Sequence, residues 1–166
     1  MTTRRSTKYC NASLTADTTD TTVFTHLQLR IFSGTPPTTA DAAETDSGGK
    51  LLLVITEPSY AALTFDTAAD GILAKSANAW SGTAGDTDAG TGSSATTKIT
   101  SGTETATWFR YCSKSDTGSD DTSSKSRPRL QGSIATAGAE LELSSTSITF
   151  GASHTVTYAI LSKTPS

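Results

Sequence analysis

The chain has 166 residues, a length that fits one domain with a real core. Only 34% of residues are hydrophobic and 17% are charged, with a net charge of -3, so the core is lean and the surface is rich in hydroxyls rather than ions. This balance argues against a polynucleotide binder, which carries a basic stripe, and against a membrane-spanning protein, because the longest apolar run, Leu51 to Ile55, falls far short of the ~20 residues of a span.

Thirty-three threonines and 23 serines point to strands joined by polar loops. Threonine is β-branched and suits a pleated, half-buried surface, and serine weakens helices by competing for backbone hydrogen bonds. Residues 1–22 are polar and Thr-rich and read as an extended or disordered N-terminal arm, with residues 23–166 as the folded domain. The first strand runs from Val23 to Phe32, with Leu27, Leu29 and Ile31 alternating with Gln28, Arg30 and Phe32. Pro36 and Pro37 stop it, and 38–50 is a polar loop. Leu51 to Thr56 is a continuous apolar run, the mark of a strand buried on both faces or along a covered edge. Short strands follow around Leu63 and Phe65 and at Ile72 to Ala74, and Trp80 turns back onto the core.

Residues 81–95 form a Gly- and Ser-rich loop, and Thr96 to Ser101 an edge-like strand around Ile99. Thr105 to Ser113 is the most aromatic strand. Ala106, Trp108, Arg110 and Cys112 share one face and Thr107, Phe109 and Tyr111 the other, so it belongs in the middle of a sheet. Residues 114–126 are a second low-complexity loop. Strands at Arg129 to Ala135, from Leu141 to Phe150 and at His154 to Ser162 complete the chain. The expected class is all-β: a two-sheet antiparallel sandwich, jelly-roll-like, with the arm in front.

No chemistry stands out. The two histidines, His26 and His154, sit in strands, and no Gly-x-Ser-x-Gly elbow surrounds a serine, so no nucleophile has a base beside it. The reading is therefore not an enzyme, with no catalytic, cofactor-binding or metal-ligating residue and no cofactor. Asp86 and Asp88, and Asp116, Asp120 and Asp121, read as solvated loop carboxylates; neither group completes a calcium loop. Two small basic clusters, Arg4, Arg5, Lys8 and Lys125, Arg127, Arg129, are each too small for a nucleic-acid site. Cys10 and Cys112 read as free thiols ahead of a disulfide. Trp80 and Trp108 read as core residues, with a sugar-stacking platform as the other use.

The run from Leu29 to Thr45, LRIFSGTPPTTADAAET, followed by Leu51-Leu52-Leu53, resembles small virion structural proteins of tailed bacteriophages. Thr105 to Arg110 and Gly138 to Ile148, with Gly151-Ala152 and the final strand, are similar to the same family. The likeness covers about residues 27 to 162. Residues 1–22 depart from it, because such proteins often open with a short Leu- and Ala-rich helix. The resemblance implies a capsid cement or decoration protein of jelly-roll-like fold. Its partner would be the major capsid protein, bound on the outer face of the shell to stabilise the head, with self-association as a dimer or trimer and neither nucleic acid nor membrane as partner. It would be made in the host bacterial cytoplasm and end on the capsid surface of the virion. The other readings are a tail, neck or fibre-associated virion component, or a carbohydrate-binding or adhesin module.

Overall fold

The computed structural model describes residues 4–10, 26–67, 72–86, 97–156 and 160–162. The described residues hold short strands: β1 (Arg4–Arg5), β2 (Leu27–Phe32), β3 (Leu51–Ile55), β4 (Phe65–Thr67), β5 (Ile72–Lys75), β6 (Trp80–Thr83), β7 (Thr103–Thr105), β8 (Trp108–Ser113), β9 (Arg129–Ala135), β10 (Leu141–Glu142), β11 (Ser147–Thr149), β12 (Ser153–Val156) and β13 (Ile160–Ser162). Helix is confined there to residues 7–10 and to 3-10 turns at Glu44–Ser47 and Pro58–Tyr60. No described helix is long and apolar enough to cross a membrane. The all-β class is what the molecule shows. Its strand pairs are antiparallel except for β10 beside β9.

The main sheet runs β1-β9-β8-β2-β3, with β10 against β9, so the aromatic strand β8 is central. Period-two alternation sorts its side chains. On one face Leu29, Ile31, Phe109, Tyr111, Leu130 and Ile134 enter the main apolar core. Smaller strand groups, β6 with β12, β7 with β11 and β4-β5-β13, lie beyond it and contribute Trp80, Ile148, Val156 and Phe65 to that same core. Strand β3 is buried along its whole length, as its unbroken apolar run implies. Leu51 and Val54 pack with Phe32 and Trp108, whose rings stack 3.9 Å apart.

Several boundaries differ from the sequence reading. Thr105 belongs to β7, and the chain leaves that strand at Ala106, whose N–H donates to the Thr146 carbonyl, before β8 begins. Of the run expected as one strand from His154 to Ser162, the described parts are β12, which pairs with β6, and β13, which pairs with β5, and residues 157–159 between them lie outside the described residues. The start of the expected 81–95 loop is the end of β6, because Gly82 lies too close to the Val54 carbonyl for any side chain and lets β6 run alongside β3. Residues 87–95 of that loop, and residues 11–25 of the arm and first strand, lie outside the described residues.

The described part of the expected arm is docked on the sheet. Arg4 and Arg5 pair with Gln131 and Leu130. Ser6 then caps residues 7–10: its hydroxyl accepts from the Tyr9 N–H at 3.2 Å, and its carbonyl accepts from the Cys10 N–H. Tyr9 is buried in the core.

Candidate binding surfaces

The second face of the main sheet is polar and buried. Arg30, opposite Arg110, and Arg129 and Gln131 on β9 are all fully buried. Two loops cover them. Arg30 Nη1 donates to Glu44 at 2.7 Å and Nη2 to the Asp116 carbonyl. Arg129 donates through Nε and Nη2 to both oxygens of Asp116 and through Nη1 to the Asp41 carbonyl at 3.1 Å. Arg110 donates to the Ala42 carbonyl and to Gln131 Oε1, and its Nε has no partner. Burial pulls the Arg110 pKa down to about 10. Asp116 lies low instead: burial would raise its pKa, but the hydrogen bonds and charge of Arg129 outweigh that. Gly118, at φ 73, brings the loop against the Glu44 carboxylate, where any side chain would collide. The 114–126 stretch, which reads as a low-complexity loop, is therefore pinned to the sheet by the buried Arg129–Asp116 ion pair and by the Arg30 hydrogen bond to the Asp116 carbonyl. Breaking one partner of such a pair costs about 3–5 kcal/mol.

That layer corrects the reading of two groups. Arg129 is not part of a surface basic cluster, since it is fully buried against Asp116. Asp116 and Asp121 are not solvated: Asp121 is also buried and accepts from the Ser126 hydroxyl and the Arg127 N–H.

The β1–β9 pairing draws the rest of the two basic clusters together. Ser6 donates from its N–H to the Arg129 carbonyl and from its hydroxyl to the Arg127 carbonyl, and Thr7 and Asp121 both bond Asp41. Arg5, Lys8 and Lys125 are exposed there, with Arg4 and Arg127 half-buried beside them. An acidic chain thus carries a basic end assembled from segments more than 100 residues apart.

A different surface surrounds the turn at residues 84–86. Tyr60 and Phe150, 40% and 46% exposed, are the exposed large hydrophobic side chains of the described residues. The Tyr60 hydroxyl bonds Asp86 at 3.1 Å, and the Phe150 ring lies against Gly85. Ser59 and Tyr60 both hold left-handed backbone, at φ 60 and 58, a strain of about 1–3 kcal/mol each for non-glycine residues. The Lys114 ammonium donates to the Tyr60 carbonyl. Between the Pro58–Tyr60 turn and the β6–β12 pair lies an open cleft of about 400 Å³. Glu57 at its base accepts from Thr64 and Asn78. Burial alone would raise the Glu57 pKa, but those hydrogen bonds hold it low.

His154 lines this cleft, and its Nε2 is buried without a hydrogen-bond partner, so no hydroxyl is paired to that nitrogen as a nucleophile would be to its base. His26 stands exposed at the entry to β2, and its carbonyl accepts from the Lys114 N–H. No group of three or more potential metal ligands gathers among the described residues. Cys10 is exposed and Cys112 buried, and both are free thiols. Trp80 and Trp108 are fully buried, so neither offers a sugar-stacking face. The sequence reading missed the Tyr60 cleft. Its one local signal was Pro58 closing β3, because serine and tyrosine carry no preference for left-handed backbone.

No protein-family model matches this chain, and no curated protein or solved structure matches it either.

Proposed function

We propose that this chain is a structural protein of a tailed-bacteriophage virion, of the capsid cement or decoration type, that binds the outer surface of the major capsid protein shell and stabilises the head. The resemblance of residues 29–45 and 105–110 supports the setting. The observation that carries the binding mode is the basic end, where Arg5, Lys8 and Lys125 stand exposed on a chain of net charge -3. Such an end orients an otherwise acidic protein on an acidic partner face and speeds its docking. Exposed Asp120, beside the Ser119–Arg127 contact, interrupts the cations, which suits a protein face better than a run of phosphates. Stabilisation then comes from added interface, roughly 1,600 Å² for a standard contact. Jelly-roll connectivity, and a dimer or trimer on the shell, belong to this same reading.

Co-sedimentation with shells of the major capsid protein tests it. Wild-type protein is expected to pellet with the shells at ~0.1 M salt and to be released near 1 M, where the screening length falls to about 3 Å. The combined variant Arg5→Glu, Lys8→Glu, Lys125→Glu is expected to bind about tenfold or more weakly. Wild-type protein that stays in the supernatant at every salt concentration overturns the reading.

A further inference from the structure

We infer that the cleft beside Tyr60 is a binding site for a neutral saccharide. A pyranose ring has an apolar C–H face and a rim of hydroxyls, so a site for it needs an exposed aromatic ring, a carboxylate within reach of that ring, and side-chain hydroxyls around them. The cleft has all three. Tyr60 presents its ring to solvent, and its hydroxyl is tied to the Asp86 carboxylate at 3.1 Å. Ser81, Thr83, Ser153 and Thr155 line the opposite wall, from β6 and β12. The volume of about 400 Å³ lies within the roughly 300–1,000 Å³ of small-molecule sites.

Charge narrows the ligand class. Glu57 and Asp86 line the cleft and, among the described residues, no Lys or Arg does, so phosphorylated or carboxylated ligands meet repulsion. Glu57 is engaged by Thr64 and Asn78, and Asp86, which bonds the Tyr60 hydroxyl, is the carboxylate beside the ring that ligand hydroxyls would meet.

The backbone is the independent observation. Two consecutive left-handed non-glycine residues, Ser59 and Tyr60, are costly, and such strain gathers where a side chain must be presented in one particular way. Its effect here is to hold the Tyr60 ring at the mouth of the cleft. Phe150, whose ring lies against Gly85, offers a second exposed ring on which a longer saccharide would continue.

The site stands apart from the basic end, so it holds or fails independently of the capsid reading. The test is a titration of the full-length, isotope-labelled protein with the methyl glycosides of glucose, galactose, mannose and N-acetylglucosamine, followed by the backbone amide resonances. At least one probe is expected to move the amides of Ser59, Tyr60, Asp86 and Ser153 to Thr155 saturably. The variants Tyr60→Gly and Asp86→Ala are expected to weaken that binding about tenfold or more. Tyr60→Gly relieves the strained backbone, so it keeps the fold and melts no lower than wild type, which separates lost binding from lost structure. If no glycoside moves these amides, or if the shifts persist in both variants, the inference is wrong.

Discussion

The guanidinium of Arg129 grips both carboxylate oxygens of Asp116, at 2.6 and 2.7 Å, with the arginine fully buried and the aspartate 3% exposed. One residue is in the sheet and the other in a covering loop, so this pair is the rivet between them. Asp116→Ala leaves Arg129 charged and unpaired, and is expected to cost about 3–5 kcal/mol in urea unfolding. Replacing both partners with apolar residues of similar size is expected to cost clearly less than the single change, and a double-mutant cycle measures the difference.

Acid should loosen this layer. Asp116 and Asp121 in this layer, and Glu57 at the cleft, all have pKa values below the ordinary carboxylate range in the folded protein. A depressed carboxyl pKa contributes stability that is present above the unfolded value, about 4, and is lost as pH falls through the folded one. The urea midpoint is therefore expected to drop progressively below about pH 4. In Asp116→Asn that acid drop is expected to be shallower.

The two thiols should differ sharply. Burial pushes the Cys112 pKa up to about 12, whereas Cys10 is exposed. A thiol reagent at pH 8 is expected to label one cysteine per native chain, at Cys10, and two in denaturant.

The strained turn gives a prediction of opposite sign. Ser59 is exposed with φ 60, so Ser59→Gly is expected to raise stability by up to about 1 kcal/mol in thermal unfolding. Gly118→Ala, at φ 73 and against Glu44, is expected to lower it by more than that amount.

The strands were legible wherever alternation was strict. Leu27 to Phe32 and Trp108 to Ser113 sort their faces as their spacing implies, and β8 is central as its two aromatic faces imply. The buried charge was not legible. Arg30 and Arg110 occupy the face of Phe32 and Trp108, yet a charged side chain in a strand ordinarily marks the solvent side. What buries them is a pair of Ser-, Thr- and Asp-rich loops whose composition is that of solvated chain, and only the Asp116 and Glu44 contacts distinguish them. The basic end was legible as two fragments. Joining them depends on β1, a two-residue strand too short to show any periodicity. Tyr60 carried no signal, because its partners Lys114 and Asp86 are distant in sequence and its left-handed backbone goes against the preference of its residue type.

Cryo-electron microscopy of the intact particle decides whether this chain binds a capsid shell as proposed. Density matching the β8-centred sheet is expected at regular positions on the outer face of the head, with the end bearing Arg5, Lys8 and Lys125 turned toward the major capsid protein. Heads bare of that density, with the chain found in the tail or absent from the particle, would contradict it.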